Sequence, residues 1–205
     1  MLILIILIIF LFLIINEFYG RKKHQINELD RKIIHLGVGS FVAFWPFLID
    51  YNQIRLLSLA FLVTILLSKK FNIFQSIHAV ERPTIGEIFF AVSVGLITYL
   101  TKNNFVYMAA ILQMSLADGL AAVFGVEFGF KNRYKIFGQF KSIVGTFTFL
   151  VVSTLILLVV NYYGNLNLSI VYLMTLALCL ASIENLGVFG LDNLIIPIMT
   201  VLFFK

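Results

Sequence analysis

The chain of 205 residues is 61% hydrophobic and only 12% charged, whereas soluble domains carry about 25% charged residues. This composition excludes a soluble enzyme and predicts a single integral membrane domain over residues 1–205. The net charge of +5 is spread between apolar segments rather than gathered in one patch, which excludes a nucleic-acid-binding surface. The single cysteine, Cys179, excludes a disulfide framework.

Apolar segments that could cross a bilayer follow one another along the chain. The first, residues 2–18, lacks the basic start and cleavage site of a signal peptide, so we expect it to be retained as a span. The later segments are residues 33–49, 54–67, 85–100, 105–124, 143–163, 168–183 and 191–204. The last contains Pro197 and could be a half-helix. We therefore predict an all-α, polytopic bundle of seven or eight transmembrane spans.

The basic residues orient this bundle. When the connections are assigned alternately to the two sides, 12 of the 15 Lys and Arg residues fall together. Arg55 and Lys102 fall on the other side, with Lys205 if the last segment crosses. The positive-inside rule then places the N-terminus outside and the larger set in the cytoplasm.

Asp118 is the most informative charged residue, because it lies at one end of an apolar run that we interpret as a span. A carboxylate there costs roughly 2.5–3.5 kcal/mol on insertion scales, which favours a functional role. Gly119 and Gly125 follow it, and small residues leave open a structural alternative: a tight helix-packing seam with an ion pair.

Other charged side chains collect at the same cytoplasmic span ends, although only Lys and Arg entered the orientation argument. They predict a shallow polar cleft that opens to the cytoplasm between apolar walls. For Arg31 with His35, a snorkelling interfacial pair explains the pattern equally well. The remaining positions are Glu81, Arg82, Glu87, Lys141, Glu184 and Asp192.

Two segments carry phosphate and metal chemistry. Lys141-Ser142 is predicted to stand where a helix begins, with Gly145-Thr146 one turn later, and free N–H groups beside a lysine bind phosphate. Asp192-Asn193 suits Mg²⁺–phosphate coordination, although a helix cap explains it equally well. The basic and aromatic residues of 127–140 are typical of interfacial charge with an aromatic belt.

Five short motifs, in order from Arg31 to the C-terminus, resemble the membrane family of CTP-dependent lipid-alcohol kinases. This family includes dolichol kinase, phytol kinase and the fungal CTP-dependent diacylglycerol kinase. The motifs are Arg31-Lys32 with His35; Arg82 with Gly86-Glu87; Asp118-Gly119 with Gly125 and Phe128-Gly129; Lys141-Ser142 with Gly145-Thr146; and Gly190-Leu191-Asp192-Asn193 with Pro197. The resemblance makes residues 31–205 the catalytic bundle.

The resemblance implies transfer of the γ-phosphoryl group of CTP to the hydroxyl of a lipid alcohol: phytol, another prenol, a polyprenol or diacylglycerol. It implies Mg²⁺ held by Asp118 and Asp192. The implied catalytic residues are Asp118, Glu87, His35 and Arg31, with Glu87 or His35 orienting or deprotonating the alcohol. The implied nucleotide-binding residues are Lys141, Ser142, Gly145, Thr146, Arg82, Gly119, Gly125 and Asn193.

Two other functions remain open. A phosphatidate cytidylyltransferase would share CTP, Mg²⁺ and a membrane site, but would release pyrophosphate instead of CDP. A small membrane transporter would also use intramembrane acids and broken helices, but would need polar groups near the bilayer midplane. The outer halves of the predicted spans are almost entirely apolar, which favours a site on one side. The expected location is a prokaryotic cell membrane, with the site facing the cytoplasm.

Overall fold

The computed structural model describes residues 2–22, 28–71 and 85–205. The predicted helical bundle is confirmed in these residues. The helices are α1 (Leu2–Lys22), α2 (Glu28–Ala43), α3 (Tyr51–Phe71), α4 (Gly86–Leu100), α5 (Asn104–Leu112), α6 (Asp118–Phe128), α7 (Ile143–Tyr163), α8 (Ile170–Leu186) and α9 (Asp192–Phe203). Two short strands, β1 (Arg133–Ile136) and β2 (Gln139–Ser142), join α6 to α7.

One continuous helix, Asn104–Phe128, runs through the middle of the bundle. It comprises α5, a π-helical segment (Gln113–Ala117) and α6, and it is packed against α2, α7 and α9. Its alanines Ala109, Ala110 and Ala117 are fully buried, and residues this small let neighbouring helices approach closely. The other helices pack as neighbours around it, α3 on α4, α4 on α9, and α7 on α8.

Two helices of the described part, Asn104–Phe128 and Ile143–Tyr163, are long and apolar enough to cross a bilayer. Four further apolar stretches there, Lys32–Phe47, Gly86–Leu100, Ile170–Leu186 and Asp192–Phe203, are shorter. At 1.5 Å per residue, the 12 residues of α9 reach only about 18 Å, less than a hydrocarbon core of about 30 Å.

Two prolines affect their predicted segments in different ways. The second predicted span, 33–49, stops being α-helical at Ala43, and a 3₁₀ turn (Trp45–Phe47) follows because Pro46 disfavours helix in the residue before it. Pro197, by contrast, lies inside α9 without ending it.

The antiparallel hairpin β1–β2 was not predicted, since we expected an all-α chain. Its two-residue turn, Phe137-Gly138, has φ angles of 45° and 83°, which match the left-handed turn that suits the twist of a hairpin. Gly138 adopts this conformation freely, whereas a side chain such as Phe137 pays about 1–2 kcal/mol for it.

Candidate active site

Five charged side chains from five elements meet at one end of the bundle. They come from the beginnings of α2 and α9, the end of α8, strand β2 and the start of α6. We call them the charged cluster: Lys32, Asp118, Lys141, Glu184 and Asp192. The sequence placed its four residues other than Lys32 among the candidate positions, but it could not show which of them pair.

Asp118 is held by Lys32. Lys32 Nζ donates to Asp118 Oδ2 at 2.7 Å, and the two side chains are 14% and 5% exposed. His35 and Lys141 also act on Asp118 electrostatically. Asp118 directly follows the π-helical segment, and its N–H donates to Gln113 O, five residues back. Since π-helical segments are frequent at functional sites, this irregular turn is consistent with a functional role for Asp118.

Asp118 is ten residues from the end of α6, whereas we expected it at the end of a span. The helix continues past the predicted boundary to Phe128. The carboxylate is therefore about 15 Å short of that helix end at 1.5 Å per residue.

The pairing of Lys32 with Asp118 was not predicted from the sequence, which indicated the neighbouring Arg31 instead. Four residues of α2 at helical spacing face the central helix. Lys32 bonds Asp118, and His35 Nε2 lies 3.0 Å from Met114 O. Gly39 of α2 lies so close to Ser115 that a Cβ there would clash, and a Cβ on Gly119 would be in tight contact with Leu36 of α2. The spacing 32, 35, 36, 39 would have identified this face. Of Arg31 only the backbone position in α2 is described.

Lys141 is paired with Glu184. Its Nζ donates to the Glu184 carboxylate and, at 2.9 Å, to Glu184 O. Burial by itself lowers the pKa of the Lys141 ammonium, but the carboxylates of Glu184, Asp118 and Asp192 outweigh it and raise the pKa above its ordinary value. Lys141 lies in β2, and Ser142 directly after it caps α7, so the pair stands at a helix start as predicted.

Asp192 and Asn193 begin α9 beside the end of α8. Gly187 allows this approach, because a Cβ there would lie 2.8 Å from Asp192 Cβ. Asp192 Oδ1 accepts from the Asn193 N–H at 3.0 Å. Its charge interacts with Asp118, Lys32 and Lys141, which places it in the charged cluster.

Asn193 is attached to α4 at two points. Its Nδ2 donates to Gly86 O at 3.0 Å. Pro197 lacks the N–H that would normally bond Asn193 O within the helix, and buried Ser93 Oγ donates to that carbonyl instead, at 2.7 Å. Asn193 Oδ1 is buried and has no hydrogen-bond partner among the described residues. An amide oxygen is thus held beside Asp192 with its bonding capacity unused.

The predicted phosphate-binding residues around α7 contact one another and neighbouring elements. Ser142 caps α7 by accepting from the Gly145 N–H at 3.0 Å. Thr146 Oγ1 lies 2.5 Å from the Tyr134 hydroxyl and 3.0 Å from Asn185 Oδ1. Gly125 faces the same turn, since a Cβ there would lie 2.9 Å from Ser142 Oγ. These residues bring α6 against α7 and fix Lys141 within the charged cluster.

Of the two candidates for handling the alcohol, His35 lies near enough to the cluster to act on Asp118. Glu87 follows Gly86, whose carbonyl accepts from Asn193. Glu87 Oε1 lies 2.6 Å from Lys69 Nζ. The His35 ring meets Phe90, one turn beyond Glu87, edge-on at 5.0 Å. Because a carbonyl can only accept, the 3.0 Å contact with Met114 O means that His35 Nε2 carries the proton. Arg82 lies outside the described residues.

Comparison with known proteins decides the family. The chain is 33% identical, over 188 residues, to phytol kinase of Synechocystis sp. (strain ATCC 27184 / PCC 6803 / Kazusa). The matched region covers 89% of this chain and 80% of that protein. The chain belongs to the CTP-dependent lipid-alcohol kinase family. It is accordingly a transferase and a membrane protein. No family model and no solved structure matches the chain.

Proposed function

We propose that this member of the lipid-alcohol kinase family transfers the γ-phosphoryl group of CTP to the hydroxyl of a membrane lipid alcohol at the cytoplasmic face. The observation that carries the proposal is the charged cluster, in which three acids and two lysines from five elements meet, all of them at least partly buried. The similarity to phytol kinase supports phytol or another prenol as the acceptor; a polyprenol and diacylglycerol present the same hydroxyl on an apolar tail.

The cluster contains both kinds of charge that a metal–nucleotide complex contacts. Three carboxylates lie beside two ammonium groups. Phosphoryl transfer requires neutralisation of phosphate charge and in-line positioning more than covalent help from the protein. Phosphoryl transfer therefore requires two kinds of group: acids that hold a cation and lysines that hold phosphates.

Mg²⁺ fits the donor set. The described residues offer no group of three or more His, Cys, Asp or Glu side chains that could hold a metal alone. Mg²⁺ typically takes one or two carboxylates and completes its shell with substrate phosphates and water. Asp118 and Asp192 would hold it, with the unused Asn193 Oδ1 assisting. Its chemistry there is to neutralise the phosphate oxygens.

The lysines bind the phosphates in this proposal. Lys32 and Lys141 are largely shielded from water and are paired with acids of the site. When the nucleotide binds, each can turn from a carboxylate to a phosphate oxygen, a charge-assisted bond of similar strength. Arg31 and Arg82 add positive charge, and Gly119, Gly125, Ser142, Gly145 and Thr146 shape the surrounding backbone.

The lipid hydroxyl is the nucleophile. Its oxygen forms a bond to the γ-phosphorus while the bond from that phosphorus to the bridging oxygen breaks, and CDP leaves. The hydroxyl proton passes to the Glu87 carboxylate or to Nδ1 of His35, since His35 Nε2 already carries a proton. The apolar tail approaches sideways between helices, where large side chains such as Ile33 and Phe124 are exposed.

The proposed placement in the membrane has seven or eight spans and an N-terminus outside. The uneven distribution of Lys and Arg supports this orientation. The charged cluster lies where α2, α7 and α9 begin and α8 ends, the end that this orientation turns to the cytoplasm. The chain would then act in a prokaryotic cell membrane on cytoplasmic nucleotide.

A transfer assay tests the proposal. Purified protein in detergent receives Mg²⁺, γ-labelled CTP, ATP, GTP or UTP, and a panel of lipid alcohols, and label in the organic phase is counted. We expect label to move from CTP to one alcohol, with CDP as the other product. Asp118→Asn should lower the rate by about a hundredfold or more. Glu127→Gln, which removes an exposed acid from the same helix, should leave the rate unchanged.

Each contrary result has a distinct meaning. Full activity of Asp118→Asn would contradict the metal role. Pyrophosphate release on addition of phosphatidic acid would identify a cytidylyltransferase instead. Absence of transfer from all four nucleotides to every alcohol would overturn the proposed reaction.

A further inference from the structure

The hairpin β1–β2 lies between two helices that are long and apolar enough to cross a bilayer. The first of them ends at Phe128 and the second begins at Ile143, so the hairpin connects the ends of both. If these helices cross the membrane, the 14 residues between them lie at the level of the lipid headgroups.

The hairpin has two different faces. Tyr134 and Lys141 are cross-strand partners and share the inner face. The Tyr134 hydroxyl donates to Asn185 Oδ1 on α8 at 2.5 Å, while Lys141 pairs with Glu184. The inner face is therefore attached to the bundle. Arg133, Lys135 and Phe140 lie on the opposite face and are exposed.

The outer face combines cations with aromatic rings. The Arg133 guanidinium lies 4.8 Å from the centre of the Phe130 ring, and Lys135 Nζ lies 5.6 Å from that of Phe140. The Phe130 and Phe140 rings are nevertheless 73% and 64% exposed. In the described part of the chain, no carboxylate lies within ion-pair distance of either cation.

The tip of the hairpin is a phenylalanine in an unfavourable conformation. Phe137 has a φ of 45° and is 75% exposed, so little packing against the described residues compensates for its strained backbone. Asn or Gly is the usual residue at this turn position. A bulky ring in a strained conformation that remains mostly exposed among the described residues indicates a contact outside the chain.

We propose that the outer face of the hairpin is a lipid-binding surface for an anionic leaflet. Arg133 and Lys135 meet lipid phosphates, and the rings of Phe137 and Phe140 enter the boundary between headgroups and acyl chains. Charge complementarity and position select this partner, because aromatic rings with cations at a span end are the pattern of the membrane interface. The proposal depends on the two helices crossing the membrane and not on the reaction.

A fluorescent reporter at the tip tests the contact. Phe137→Trp is placed in nanodiscs of anionic or zwitterionic lipid, and the wild type, with its single buried Trp45, gives the background. We expect blue-shifted emission and quenching by brominated lipid that is several-fold stronger in anionic nanodiscs. Arg133→Gln with Lys135→Gln should remove that difference, whereas Lys70→Gln, a matched cation over Phe71 on α3, should not.

Trypsin cleavage after Arg133 and Lys135 gives a second measurement that needs no reporter. We expect slow cleavage of the wild type in anionic nanodiscs and several-fold faster cleavage of Phe137→Asn. Asn suits the turn, so unfolding cannot explain faster cleavage. Water-exposed emission from the Phe137→Trp variant in both lipids, or equal cleavage of the wild type and Phe137→Asn, would overturn the proposal.

Discussion

Individual residues of the charged cluster are held by pairing rather than by solvent. Lys32 and Asp118 are both largely shielded from water, and so are Lys141 and Glu184. A buried pair contributes little net stability, because desolvation offsets the attraction, but the loss of one partner leaves a buried charge with nothing to balance it. The two lysines thus act as internal counter-ions.

Lys32→Met is expected to destabilise the protein by about 3–5 kcal/mol, because it leaves the Asp118 carboxylate buried and unpaired. The double variant Lys32→Met with Asp118→Asn should recover most of this stability while remaining inactive. Denaturant unfolding in detergent measures the first effect and the transfer assay the second. Lys131→Gln, at an exposed position, should change the unfolding free energy by less than about 0.5 kcal/mol. A single Lys32→Met variant as stable as the wild type would contradict the pairing.

At the level of elements, α9 is joined to α4 by a side-chain hydrogen bond that takes the place of a backbone bond missing from α9. Pro197 deprives Asn193 O of its usual donor, and Ser93 from α4 supplies another. The sequence indicated only that Pro197 weakens the segment. It could not show that a serine about a hundred residues earlier compensates, because that depends on the packing of two distant helices.

Ser93→Ala is expected to cost about 1–3 kcal/mol, since it leaves the buried Asn193 carbonyl without a donor. Pro197→Ala restores an N–H at that position, so the double variant should be less destabilised than the sum of the two single changes. A thermal-unfolding double-mutant cycle measures this coupling. Ser182→Ala removes an exposed hydroxyl that bonds within its own helix and is the control. Additive effects in the cycle would refute the replaced bond.

The helices were predictable and the hairpin was not, for one physical reason. Long apolar runs carry the helical signal, and α1, α3 and α7 follow those runs to within a few residues. The strands are only four residues each, and Gly138 gives the single turn signal. The sequence of this segment indicates a basic loop, and only the structure shows that Tyr134 and Lys141 share one face of a hairpin.

At the scale of the whole molecule, the sequence located the acids of the site because charge in an apolar chain is conspicuous. The sequence could not show which of these charged residues form ion pairs. The partner of Asp118 lies 86 residues away and that of Lys141 lies 43 away, and only the fold brings them together. The helical spacing of residues 32, 35, 36 and 39 identifies Lys32 as the partner of Asp118 only once α2 is known to pack against the central helix.

Cysteine labelling measures the proposed orientation. In a Cys179→Ser background, a membrane-impermeant maleimide should label Lys102→Cys in intact cells but reach Lys131→Cys only after lysis. The reason is that these exposed positions lie at opposite ends of Asn104–Phe128 and its neighbours. Labelling of Lys131→Cys in intact cells would reverse the topology. Equal labelling of both would contradict a membrane crossing between them.

The pairing within the charged cluster also bears on how the protein persists between turnovers. In small metal-dependent domains, binding of the ion is what drives folding, and chelators unfold them. Each lysine of the cluster is paired with an acid, so we expect the chain to fold in the membrane without ion or nucleotide. Under the proposed reaction, a cell starved of either would retain an intact, idle protein that is ready to act when supply returns.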